Sequence, residues 1–269
     1  MPMVRTICPG LVRGSDRDAM CTIGAVRVDD GGYALFKNKD FARAVPDALT
    51  VDDERFIVRG VADFAAATTD GPSGSSTRWS GASMGANRHG LMVADAHVRD
   101  RGATHQNYDE LAALALSTTT VDEAIDRIRV SVARLPSWWG NLVLVDAHTM
   151  VAAEVRDAEV RVARSDRAIV RTNHHFLFDD GFVETGDGRS ADRHRATARE
   201  LPTLATVEAI ERLLAGHFTS EPTGICNHLP ERTTVASYVL VRGLGGGQAR
   251  IRHGHPCMAG ASVQVSLPG

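Results

Sequence analysis

The chain has 269 residues, 43% of them hydrophobic and 23% charged, with a formal net charge of −3. That is enough for a sizeable core, and it excludes disorder, collagen and coiled coil. Thirty basic residues against thirty-three acidic ones leave no electrostatic footprint for nucleic acid or an anionic membrane, so a small-molecule substrate is the expected partner.

Residues 1–20 carry polar and charged groups where a signal peptide would be apolar, and no run approaches the roughly 20 apolar residues of a membrane span. A cytoplasmic protein is expected. Strands are predicted at 22–28 and 33–38, joined by the hairpin turn Asp29-Asp30-Gly31-Gly32, then at 55–61 and 91–97. A Gly/Ser/Thr-rich stretch, 68–77, reads as a surface loop able to close over a site. Helices are predicted at 107–116 and 121–135. The second opens on a capping box, Thr120 with Glu123, and Pro136 stops it. Further strands are expected at 141–145, 150–155, 159–163 and 168–172, helices at 191–201 and 207–214, and strands at 234–241, 249–253 and 262–266. This order is α+β, and with no repeat and no long linker it predicts a single domain of antiparallel sheets carrying helices.

Four cysteines, Cys8, Cys21, Cys226 and Cys257, are too few and scattered for a disulfide framework, and no C-x-x-C pair suggests a zinc clip. Each reads as a free thiol, and no cofactor or metal is expected. The only two lysines stand together in Phe36-Lys37-Asn38-Lys39-Asp40. The most informative stretch is Met20-Cys21-Thr22-Ile23-Gly24. If the chain is cut before Cys21, or starts at Met20 and loses that methionine, Cys21 becomes the amino-terminal residue. It then supplies a thiol of pKa about 8.5 and an α-amine of pKa about 7.7–8.0, and the amine can take the thiol proton. Residues 1–20 are then either a self-cleaved propeptide or a non-native extension, with one domain over 21–269.

Met20-Cys21-Thr22 followed by Phe36-Lys37-Asn38-Lys39-Asp40 resembles the start of the cysteine N-terminal nucleophile hydrolases. That group includes the choloylglycine hydrolases, acid ceramidase and the 6-aminopenicillanate acyltransferases. Gly85-Ala86-Asn87-Arg88-His89-Gly90-Leu91 resembles their Gly-x-Asn-Glu-x-Gly-Leu segment. Arg171-Thr172-Asn173 is similar to their Thr-Asn element, and Ser190-Ala191-Asp192-Arg193 to their Ser-x-x-Arg helix start. The tail, with Thr234-Val235-Ala236-Ser237 and His253-Gly254-His255-Pro256-Cys257, is most similar to the acyltransferase branch.

The resemblance implies a four-layer αββα sandwich and a hydrolase or acyltransferase that cleaves a linear, non-peptide amide through an acyl-Cys21 thioester. In it Cys21 attacks the carbonyl, Asp40 holds the α-amine, and Asn173 donates to the oxyanion or that amine. Arg193 orients Asp40 and Cys21, and Lys37 supplies charge beside the thiolate. Asn87, His97 and His175 are the candidate substrate or oxyanion contacts. The implied partner is a small N-acyl amide, and a homo-oligomer stays open. There are three departures from the family pattern: Lys37 stands where the family has arginine, Arg88 where it has glutamate, and His97 where choloylglycine hydrolases place an oxyanion asparagine.

Other features have plainer expectations. At most one of His174 and His175 can face a site, because neighbours on a strand alternate. His253 and His255 are spaced to share a strand face, but Gly254 and Pro256 suggest a strand end there, and a structural pair is expected more than a metal site. Cys257 is expected to be packed, Trp138-Trp139 to be core, and Asp95 with His97 to form an exposed polar pair. Two other functions compete: a zinc-dependent hydrolase drawing on the eleven histidines, and an unprocessed binding protein or scaffold.

Overall fold

The computed structural model describes residues 19–41, 48–61, 79–99, 104–178, 188–217, 224–229 and 232–269. The loop expected at 68–77 and Cys8 lie outside the described residues. In chain order the first strands are β1 (Ala19–Arg27), β2 (Tyr33–Phe41), β3 (Leu49–Val51), β4 (Arg55–Val61), β5 (Trp79–Asn87) and β6 (Met92–Arg99). Helices α1 (Tyr108–Ala115) and α2 (Val121–Arg134) follow. Next come β7 (Ser137–Val145), β8 (Met150–Asp157), β9 (Glu159–Ser165) and β10 (Ala168–Arg171), then helices α3 (Gly188–Glu200) and α4 (Val207–Leu214). The chain closes with β11 (His228–Leu229), β12 (Arg232–Gly243), β13 (Gly246–His253) and β14 (Val263–Ser266).

These strands form two antiparallel sheets. The first runs β10-β1-β2-β12-β13-β14 with β11 paired to β12, and the second runs β3 to β9 in sequence order. Alternation along the strands decides how the sheets stack. Cys21, Ile23, Ala25 and Leu35 of the first sheet pack against Met84, Ala94, Val143 and Ala152 of the second. The opposite face of the second sheet takes Leu111, Ile125 and Ile128 of α1 and α2, and that of the first takes Leu201, Ile210 and Leu213 beside Val26, Ala34 and Phe36. The result is helices, sheet, sheet, helices: the expected four-layer sandwich. None of the described helices is long and apolar enough to cross a membrane.

The hairpin expected at Asp29–Gly32 is present, with a single 3-10 turn at Asp29–Gly31. Strand β5 was not expected. Its sequence, Trp-Ser-Gly-Ala-Ser-Met-Gly-Ala-Asn, is too rich in small residues to read as a strand. The capping box is also only half formed. Thr120 Oγ1 accepts from Glu123 N, but the Glu123 carboxylate turns to the N–H and hydroxyl of Thr119 instead of the cap residue.

Candidate active site

Cys21 sits near the start of β1, opposite Lys39 of β2, and is 4% exposed. Its backbone N–H donates to Asn173 Oδ1 at 2.9 Å. Two residues of α3 fix that asparagine. Ser190 Oγ accepts from the Asn173 N–H at 2.9 Å, and Arg193 Nη2 donates to Asn173 Oδ1 at 2.6 Å. Arg193 is itself buried and reaches back to Thr22 Oγ1 at 3.2 Å and to the Cys21 carbonyl at 3.5 Å. The Ser-x-x-Arg spacing works because residues three apart lie on one helix face. Asn173 accepts at the Cys21 nitrogen where it was expected to donate, and its Nδ2 is used on the His97 carbonyl at 2.7 Å.

Asp40 pairs in register with Met20, so it stands beside the bond that precedes Cys21. It is buried, and its Oδ1 accepts from Thr234 Oγ1 at 2.7 Å. A bulge between Thr234 and Ala236 holds Thr234 directly across from Asp40.

Lys37 is 1% exposed, and its surroundings come from a break in the second sheet. The β5–β6 ladder ends at the pair Met84↔Ala94. On the β4 side the register skips Ser83 and then Gly81, which are therefore bulge residues. Ser83 lies where these strands part. Lys37 crosses the sandwich into this split and donates to Ser83 O at 3.1 Å, Ser83 Oγ at 2.6 Å and Asp95 Oδ1 at 2.8 Å. All three ammonium protons are thereby used, which leaves none for a substrate carboxylate.

Asp109 enters the same split from the helix layer. A Cβ at Gly60 would lie 1.9 Å from Asp109 Oδ2, and one at Gly81, where φ is +40, 2.0 Å from its carbonyl. Both positions need glycine for α1 to come this close. Burial raises the Asp109 carboxyl well above the usual range, and the neighbouring Asp95 carboxylate raises it further. Asp109 and Asp95 thus meet carboxyl to carboxyl in the split, where Asp95 Oδ2 is buried with no other partner among the described residues.

These groups set the state of the thiol. Burial pushes the Cys21 pKa up, Lys37 pulls it down, and Asp95 and Asp40 push it up again. A hydrogen bond from the Asp40 backbone lowers it. Burial also works against the charge on Lys37, but Asp95, then the Cys21 sulfur, outweighs it and raises the lysine.

Several expectations are corrected. Asn87 is not a substrate or oxyanion donor. Its Nδ2 donates to the carbonyls of Leu116 and Thr118 and its Oδ1 accepts from the N–H groups of His89 and Leu91, so it ties the β5–β6 turn to the end of α1. Asp95 and His97 are buried and not an exposed pair. The His97 ring meets the Tyr108 hydroxyl at 3.1 Å, and burial lowers its pKa to about 4. His174 and His175 are not strand neighbours, since β10 ends at Arg171, and both are buried: His174 Nδ1 is 2.8 Å from Ser190 Oγ, and His175 packs beside Trp139 and Phe178. Trp138 and Trp139 are half-buried at the start of β7, where Trp139 faces the guanidinium groups of Arg99 and Arg156. The strand end expected at Gly254 and Pro256 is present: β13 ends at His253 and Gly254 turns the chain with φ +79, so His253 and His255 share no strand face. Cys257 is exposed. Sequence reasoning missed Ser83 and Asp109, and gave Asp95 no part in the site.

No family model and no curated protein matches the sequence. Solved structures share its arrangement. An arginine-to-leucine variant of the conjugated bile acid hydrolase from Clostridium perfringens gives a TM-score of 0.54 at 12% identity, over 91% of this chain and 92% of that one. A cysteine-to-alanine variant of the same hydrolase gives 0.51 at 11% identity, over the same shares of the two chains. Penicillin V acylase from Agrobacterium tumefaciens gives 0.54 at 13%, over 91% and 86%. The fold is therefore that of the N-terminal nucleophile hydrolases, as the sequence motifs implied.

Proposed function

We propose that this chain is an amide hydrolase or acyltransferase whose nucleophile is Cys21, acting once residues 1–20 have been removed. The observation that carries this is the hydrogen bond from Cys21 N to an Asn173 oxygen held by Arg193. Removal of the preceding residues turns that N–H into an α-amine. Asn173 Oδ1 then accepts one amine proton and aims the nitrogen lone pair at the thiol, and Asp40 lies beside the new terminus.

In the proposed cycle the amine takes the thiol proton and the thiolate attacks the substrate carbonyl. The C–N bond breaks as the ammonium returns its proton to the leaving amine, which leaves an acyl group on sulfur. Water, or a second amine, then breaks the C–S bond. Lys37 contributes by favouring the thiolate, since it lowers the Cys21 pKa. The solved bile acid hydrolase variants support the comparison: they replace a cysteine and, sixteen positions on, an arginine, the separation of Cys21 and Lys37. A neutral acyl chain is the expected substrate portion at this end, because Lys37 has no free proton for an anion.

Intact-mass analysis, Cys21→Ala and a panel of N-acyl amino acids, acyl-homoserine lactones and β-lactams test the reading. Active protein should begin at Cys21, and the alanine variant should fold and release no amine. Full activity with residues 1–20 attached, or turnover by the variant, would overturn it.

A further inference from the structure

Away from Cys21, four side chains that no motif connects come to one point. They are His217 after α4, Cys226 and His228 before β12, and Cys257 after β13, and their ligand-bearing atoms all lie within 4.8 Å of one another. We propose that these four residues bind one zinc ion in a closed, structural Cys2His2 site.

The distances among Cys226, His228 and Cys257 are close to the edges of a tetrahedron around a metal, and His217 lies within 4.8 Å of all three. Zn–S bonds of about 2.3 Å and Zn–N bonds of about 2.0 Å place two thiolates about 3.8 Å apart, and a thiolate and an imidazole about 3.5 Å apart. Here Cys226 Sγ and Cys257 Sγ are 3.5 Å apart, Cys226 Sγ and His228 Nε2 3.5 Å, and His228 Nε2 and Cys257 Sγ 3.0 Å. An independent observation concerns His217: its Nδ1 is buried and has no hydrogen-bond partner among the described residues. Its ring lies 5.0 Å from that of His228, and an imidazole with an unpartnered buried nitrogen beside two thiols and a second imidazole is the environment a metal ligand needs.

The backbone pre-positions the set. His217 bridges Gly224, and Cys226 N donates to the Gly216 carbonyl at 3.0 Å. His255 stacks on His228 at 3.9 Å, with the rings 17° from parallel, and holds that ring in place. Two thiolates neutralise a dication, as a half-buried site requires. Cysteine binds as thiolate, so uptake must displace thiol protons and grow stronger as pH rises. A disulfide would use the two sulfurs alone, and at 3.5 Å they stand well beyond the bonded distance of about 2.05 Å. Four protein ligands leave no open position for water, so this site is not the centre of a zinc-dependent hydrolase. Its effect on the Cys21 end is mechanical. Asn227, between two of the ligands, donates its N–H to Thr234 Oγ1 at 2.8 Å, and Thr234 donates to Asp40.

Cobalt(II) titration of reduced Cys21→Ala protein tests the proposal without involving the nucleophile. One cobalt per chain is expected, with a sulfur-to-cobalt charge-transfer band and intense tetrahedral d–d bands that zinc abolishes. Cys257→Ser, at an exposed position, should keep the fold by circular dichroism, weaken uptake by at least about tenfold and lose charge-transfer intensity. No charge-transfer band in the parent, the same band and affinity in the variant, or a Cys226–Cys257 disulfide that persists under reductant and metal would each overturn the site.

Discussion

Arg171 and Glu154 join the two sheets at one place and Lys37 and Asp95 at another, and in both pairs every charged side chain is less than one-tenth exposed. The Arg171 pair is complete. Glu154 Oε1 takes Arg171 Nε at 2.8 Å, and its Oε2 takes the N–H groups of Phe176 and Leu177. The Lys37 pair is not: Asp95 Oδ2 is buried without a hydrogen-bond partner among the described residues, Asp109 presses against it, and Lys37 interacts with the Cys21 sulfur. A saturated pair can only hold the sheets in register. An unsaturated pair beside a thiol can bias the thiol's charge.

The largest effect should come from breaking the saturated pair. Arg171→Met strands the Glu154 carboxylate in the interior, which costs about 3–5 kcal/mol when one partner of a buried pair is removed. Urea denaturation should show this loss, while the pH dependence of Cys21 alkylation stays where it is in the parent. Lys37→Met should behave in the opposite way. Asp95 still has the Asp109 carboxyl, whose pKa is raised, against it, so the stability loss is smaller. The thiol pKa, however, rises, and roughly tenfold or more of the thiolate is lost near neutral pH. Alkylation rates across pH 5 to 10 read this directly. An unmoved profile would make Lys37 a second structural cation.

Asp109→Asn sharpens the contrast from the other side, because the amide keeps a donor for Asp95 without a proton to lose. The folded-state pKa of Asp109 is raised above its unfolded value near 3.8. Folding is therefore unpenalised below about pH 4, and the penalty grows as pH rises from there toward the folded pKa. The asparagine variant lacks that penalty. Its melting temperature relative to the parent should rise between pH 4.5 and pH 8; a difference that is constant with pH would mean Asp109 is ionised.

These side chains also mark where sequence stops being informative. The β1–β2 hairpin is legible because Asp29-Asp30-Gly31-Gly32 punctuates two apolar runs, and Cys21, Asn173 and Arg193 are legible because their motifs keep local spacing. Asp95 looked exposed because strand alternation assumes an unbroken ladder. The parting of β5 from β6 and the bulges at Gly81 and Ser83 are properties of register, set by partners far along the chain. Asp109 looks like an acid in a helix's first turn, where acids are common for dipole reasons. Only the clearance at Gly60 and Gly81 reveals that it points into the sheet. The His217, Cys226, His228 and Cys257 cluster is hidden in the same way, since three separate segments supply it.

The smallest effect expected is at Arg88, where the family pattern has glutamate. Arg88 Nη1 lies 2.8 Å from Glu54 Oε1, as close as either buried pair, yet the side chains are 50% and 57% exposed. Water and salt screen such a pair, and holding two long side chains costs entropy, so exposed pairs contribute about 0.2–1 kcal/mol. The turn contact survives without the side chain, because Arg88 N still donates to the Glu54 carbonyl at 2.9 Å. Arg88→Ala should therefore lower stability by less than about 1 kcal/mol. That loss should shrink further in high salt, and the alkylation profile of Cys21 should not change. If the variant instead lost as much as Arg171→Met, burial would not be what separates these pairs, and the comparison between the two inter-sheet pairs would lose its basis.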